Sequence, residues 1–136
     1  MAKTSVEFKS INPKYKSVIK QYEQGLKRIV KFGINDVRNF AVTNIAQGVK
    51  SGNVRRDGSR ASASGEFPAT DTGFLISNIN GILANNGLSG VVESNAKYSQ
   101  FLEFGTSDMG ARPFLQPSLE QARPKIKRMI RDLKAK

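Results

Sequence analysis

Between Lys14 and Val49 nothing breaks a helical rhythm, and this stretch constrains the fold more than any other part of the chain. Tyr15, Ile19, Tyr22, Leu26, Ile29, Val30, Ile34, Val37, Ala41, Ile45 and Gly48 recur mainly at steps of three and four, the period of one helix face. Lys16, Lys20, Lys27, Lys31 and Arg38 fill the opposite side. Pro13 suits the first helical position, with Asn12 as its N-cap. The spacing predicts a helix of about 36 residues, roughly 54 Å long at 1.5 Å per residue. Gly25 and Gly33 each cost about 1 kcal/mol relative to alanine, so a break near Gly33 is the alternative to a continuous rod. The rest of one domain is too small to cover a stripe of this length. Part of it is expected in the core and part against another subunit.

The remaining composition bounds the chemistry. A chain of 136 residues has the size of one domain. It contains no cysteine and no histidine, which removes disulfides, thiolate zinc sites and the commonest general base. Carboxylate, lysine, tyrosine and serine chemistry remain, in no arrangement that stands out. The expectation is therefore a protein that is not an enzyme and carries no cofactor or metal. No apolar run approaches the ~20 residues of a membrane span. Residues 1–10 alternate charged and apolar side chains without a signal-peptide core.

The net charge of +11 is unevenly spread. Residues 1–60 hold 13 Lys/Arg against 4 Asp/Glu, residues 61–122 hold 2 against 6, and residues 123–136 hold 7 against 1. Basic ends thus flank an acidic middle. That pattern suits contact between an acidic face of one copy and a basic face of another. It equally suits attraction to DNA phosphates, and lysines solvated on helix exteriors account for the same charge.

After the long helix the character changes. Residues 51–69 are rich in Ser, Gly, Ala and Arg and read as a flexible loop, either a disordered linker or an arm that orders on assembly. Arg55, Arg56 and Arg60 lie within it. A short turn or helix bearing Phe74, Leu75 and Ser77 follows Thr72-Gly73. Residues 78–84 and 88–94 read as two strands around Asn85-Asn86-Gly87, because Asn-Gly favours a hairpin with positive φ at both positions. Gly81 and Gly90 weaken those strands, and a lone hairpin is marginal in water. It must pack on the helices, gain a third strand or pair with another copy.

Asn95 is a fair N-cap for a short helix over 96–104, with Gly105 as its left-handed stop. Tyr98, Phe101, Leu102 and Phe104 make that helix almost wholly apolar, so it is expected to be buried, with Phe101, Phe104 and Phe114 in one core. Arg112-Pro113 is extended, and Phe114 and Leu115 anchor the chain again. Pro117 suits the first turn of a basic C-terminal helix whose stripe is Leu119, Ala122, Ile126, Met129, Ile130 and Leu133. Pro124 should kink or restart it. The architecture expected is α+β: one domain over residues 1–136, with a long N-terminal helix, a small antiparallel hairpin sheet, a short buried helix and a basic C-terminal helix.

Two patterns carry a resemblance. The first is YSQFLEFGTSDMGARPFLQPSLE, with Tyr98, Phe101, Glu103, Phe104, Gly105, Thr106, Arg112, Pro113, Phe114 and Pro117 as its defining positions. The second is Asp71-Thr72-Gly73-Phe74-Leu75 followed by Ser77. In this order, and in so short a chain, they resemble the tail-completion (neck) protein family of tailed bacteriophages. The match covers roughly residues 68–123, and the long Ser/Gly/Arg-rich insertion before Pro68 is its least family-like part. The resemblance implies a virion structural protein in a ring at the head–tail interface, assembled in the host cytoplasm. It further implies copies of itself, other connector or tail terminator and tube proteins, and passing genomic DNA as partners.

Individual residues admit more than one role. Glu103 lies among aromatics; if buried, it needs a cation or several hydrogen-bond donors, and Arg112 is the nearest cation within the pattern. Otherwise it points outward. Thr72-Gly73 and Gly105-Thr106 read as turns rather than phosphate cradles, since neither lies in a Gly-rich loop between strand and helix. Asp108 alone makes no cation site. Tyr98, Phe101, Phe104 and Phe114 fit a hydrophobic core better than base-stacking platforms. Arg55, Arg56, Arg60, Lys127, Arg128 and Arg131 are the candidates for a DNA channel or an inter-subunit contact. The competing reading is a small basic protein that binds DNA without sequence preference.

Overall fold

The computed structural model describes residues 13–69 and 73–133. Its elements are α1 (Pro13–Gln47), α2 (Phe74–Ser77), β1 (Ile79–Leu83), β2 (Gly90–Ser94), α3 (Ser99–Phe104) and α4 (Leu115–Arg131). This is the α+β class expected. The proposed Asn12 cap lies outside the described residues.

α1 runs unbroken for 35 residues, about 52 Å at the α-helical rise. Its buried row is Gly25, Ile29, Gly33, Val37, Ala41 and Ile45, one residue every four. The alternative, a break near Gly33, does not occur, and both glycines leave room for side chains of α4 or of the residues just after it. A Cβ on Gly33 would stand 2.9 Å from Ile126 Cδ1, and one on Gly25 would overlap Leu133. At the other end Asn44 Nδ2 donates to Gln121 Oε1 at 2.9 Å. α4 therefore lies antiparallel along α1. The first three turns of α1 extend past this cover, leaving Tyr15, Ile19 and Tyr22 exposed.

Both strand glycines have a packing cause. β1 and β2 are antiparallel, with Gly81 opposite Val92 and Leu83 opposite Gly90. A Cβ at either Gly81 or Gly90 would overlap the Ile34 side chain. Ile34 is thus a knob on α1 seated against bare backbone, and the strands give up side chains there to let the helix approach. Among the described residues the sheet has these two strands only. It is held by α1, and the Arg38 guanidinium also donates to the Ile79 carbonyl at 2.9 Å. The other sheet face turns outward, with Ile82 directly opposite Val91 and both half-exposed, at 49% and 56%.

The turn corrects the expected hairpin geometry. Gly87 N–H donates to the Ala84 carbonyl at 2.9 Å, closing a turn around Asn85 and Asn86. No described non-glycine residue has positive φ, while Gly87 has φ 71°. Only the glycine, not the Asn-Gly pair, enters the left-handed region, as in a longer loop that ends on a positive-φ glycine.

The main core is Ala41 and Ile45 of α1 with Leu75, Ile79, Ala96 and Phe114. Pro124 neither ends nor restarts α4, which continues through it to Arg131.

Candidate assembly surface

α3 reverses the expected burial. Phe114 is fully buried, but Phe101 is half-exposed and Phe104 is 82% exposed. Tyr98 is also exposed, and its ring lies 6.1 Å from that of Phe74, tilted by 35°. The reading of α3 as a buried helix, with Phe101 and Phe104 beside Phe114 in one core, is therefore corrected. α3 turns Ser99, Leu102 and Glu103 inward. Tyr98, Phe101 and Phe104 are spaced by three and form an outward row that Phe74 extends. A six-residue helix has one inner side, and here it holds Ser99 and Glu103 beside Leu102, which packs against the main core.

That inner side explains Glu103. Its Oε1 accepts the backbone N–H of Phe114 at 3.1 Å and of Leu115 at 2.9 Å, and its Oε2 accepts Gln116 N–H at 3.2 Å. These are the first donors of α4, which the helix itself cannot satisfy. The next position is Pro117, which has no N–H. Glu103 therefore caps α4 from another element, and its charge suits the positive end of the helix dipole. The suggested pairing with Arg112 is replaced by this cap. Arg112 instead donates through Nε and Nη2 to the Ser62 carbonyl, at 3.1 and 3.0 Å, and through Nη1 to Gly110 at 3.0 Å.

The rest of the patterned segment serves the same architecture. Gly105 has φ 77° and ψ 176°, an extended region open essentially to glycine alone, in place of the left-handed stop expected. Thr106 Oγ1 accepts Met109 N–H at 3.1 Å and folds the loop over residues 106–109. Pro113 is half-buried as the chain enters Phe114. Gly73 opens α2 at φ 76°, Leu75 sits in the core, and Ser77 Oγ donates to the Phe74 carbonyl at 2.9 Å. Thr72 lies outside the described residues.

The 51–69 segment, read as a flexible loop, carries hydrogen bonds of its own. Val54 and Arg60 form an antiparallel bridge, and Arg55 N–H donates to the Ser59 carbonyl at 2.7 Å. The Glu66 carboxylate accepts the N–H groups of Ala63 at 2.8 Å and Ser51 at 3.0 Å, together with the Ser51 hydroxyl. Donation from the Ala63 backbone, then from Ser51, holds the Glu66 pKa down at about 2. Gly65 N–H donates to the Ala111 carbonyl at 2.8 Å. With Arg112 on Ser62, this fastens the segment to the loop before α4.

The basic candidates fall into two groups. Arg128 lines an open cleft of about 810 Å³ between α1 and α4, together with Arg28 and Lys125. Arg131 pairs with Asp132 at 3.1 Å, and Lys127 is exposed on α4. Arg55, Arg56 and Arg60 follow the opposite end of α1, and Arg60 Nη1 donates to Gly52 O at 3.3 Å. About 20 residues of helix, roughly 30 Å, separate Arg28 from the start of that loop. Sequence reading missed Arg28 and Lys125 because the antiparallel packing of α4 brings them together.

A second concavity, of about 470 Å³, is apolar and lies between α1, α4 and the hairpin. Among the described residues no cluster of acidic side chains could hold a metal ion, and no helix is long and apolar enough to cross a membrane. Comparison with protein-family models, with curated proteins and with solved structures gives no match for this chain.

Proposed function

We propose that this protein is a virion structural subunit of a tailed bacteriophage. It completes the tail or neck and joins head to tail as part of a ring-shaped connector through which the genome passes. Its partners are copies of itself, neighbouring connector or tail terminator and tube proteins, and DNA held without sequence preference. On this reading its work is assembly in the host cytoplasm and it catalyses no reaction. The single observation that carries the reading, beyond the two sequence patterns, is the outward row of Phe74, Tyr98, Phe101 and Phe104. A contiguous row of exposed aromatics suits a surface that another subunit covers. Light scattering over a concentration series, with and without DNA and a neighbouring connector protein, tests it. A ring formed without DNA supports the connector; a strict monomer that joins no connector ends it.

The cleft bearing Arg28, Lys125 and Arg128 favours a second reading, a small basic protein that binds DNA independently of sequence. The two readings share a loose, salt-sensitive contact with phosphates and differ in whether assembly needs DNA. Arg28→Ala and Arg128→Ala should each reduce the log–log salt slope by about one unit. Titration of random and defined duplexes at several salt concentrations measures it. A strong preference for one sequence, persisting at high salt, contradicts both.

A further inference from the structure

We infer that the protein self-associates head to tail, with the aromatic row of α3 in one copy seated in the apolar groove between α1, α4 and the hairpin of the next. This rests on the connector reading and names its subunit contact. The two surfaces are unlike in shape. The row stands open to solvent, with Phe104 82% exposed at its end. The groove is concave, about 470 Å³, and walled by Leu26, Val30, Ile34, Val92, Leu119 and Ile130. No residue of the row lines the groove, so one molecule can offer both at once. A volume of hundreds of Å³ accommodates large apolar groups, and each Phe brings about 150–250 Å² of surface to bury.

Charge selects the unlike pairing. α1 and α4 together hold 12 Lys/Arg against 3 Asp/Glu. Residues 61–78 and 95–114, which carry the row, hold 2 against 4, the hairpin between them being a wall of the groove. A groove-to-groove contact would press two strongly basic helix pairs together. Row into groove places the acidic segment of one copy on the basic helices of the next, which is complementary. Two different patches on one subunit make a heterologous contact, and its repetition with the same sense closes into a ring or grows as a filament. An isologous dimer would stop at two copies.

The chain has no cysteine, so introduced pairs report without background. Full-length Phe104→Cys and Ile130→Cys proteins, mixed and oxidised, should give the 104–130 cross-link in preference to 104–104 and 130–130. Phe101→Asp combined with Phe104→Asp should lower the melting temperature of dilute protein only slightly, since Phe104 is 82% exposed and Phe101 half-exposed. The same pair should raise the dissociation constant for self-association by roughly thirtyfold or more, the effect of losing a buried aromatic anchor. Assembly that persists unaltered in this variant, or a dominant 104–104 cross-link, overturns the interface while leaving the connector reading intact. Wild-type protein that stays monomeric, with no cross-link, overturns both. Thiol labelling of Ile130→Cys that accelerates in the monomer when residues 1–12 are removed identifies the chain's own N-terminus as the occupant and overturns the proposal.

Discussion

Removing the Glu103 carboxylate should unseat the start of α4, and the size of the effect follows from three hydrogen bonds. Glu103 accepts from Phe114, Leu115 and Gln116. Each bond to a charged acceptor is worth about 1.5–3 kcal/mol when no water can replace it. Replacement is partial here, because Phe114 is buried whereas Gln116 is exposed. Glu103→Ala should therefore destabilise by about 2–4 kcal/mol, above the usual range for losing a single cap. Near 4 °C per kcal/mol for a domain of this length, the midpoint should fall by roughly 8–16 °C. Glu103→Gln keeps one acceptor oxygen for Phe114 and Leu115 but loses the charge and the second acceptor. It should cost about 1–2 kcal/mol, between alanine and wild type. Chemical denaturation of the three proteins, with the circular-dichroism melt as a check, gives the ordering. A Glu103→Ala midpoint equal to wild type, or a Gln variant as unstable as Ala, would refute the capping role.

Three further outcomes are expected. Phe114→Ala should destabilise by about 3–5 kcal/mol because it empties a fully buried site, whereas Phe104→Ala should leave the melting temperature of dilute protein within about 2 °C of wild type; equal losses would mean that the burial pattern of α3 is misread. Gly90→Ala should cost about 1–3 kcal/mol by overpacking against Ile34, and Ile34→Val should recover part of that loss in a double-mutant cycle; strict additivity would show that the two positions do not touch. Glu66 has a folded pKa of about 2 against an ordinary 4.5. Its contribution to stability is then complete above about pH 4.5 and is lost as pH falls towards 2. Glu66→Gln should remove that part of the acid dependence, measured as the denaturation midpoint against pH.

Local signals were enough to show α1, the hairpin, α3 and α4: a repeat of three to four residues for the long helices, the Asn-Gly turn for the hairpin, and a stopping glycine for α3. The absence of histidine and cysteine likewise needed no fold to limit the chemistry. What the apolar residues of α3 face was decided only by packing. Tyr98, Phe101 and Phe104 have the same composition whether they turn inward or outward. Glu103 had to face the open N-terminus of α4, and a helix of six residues could not bury its aromatics and present that carboxylate from one side. The glycines show the same division. Gly25, Gly33, Gly81 and Gly90 read as weak points along the chain, where each counts only as lost propensity. In three dimensions they are the places where Leu133, Ile126 and Ile34 need room. Arg28, Lys125 and Arg128 lie about 100 residues apart in part and share a cleft only because α4 runs antiparallel to α1. Sequence determines which residues can share a face of one element; which faces meet depends on the free energy of packing all the elements at once.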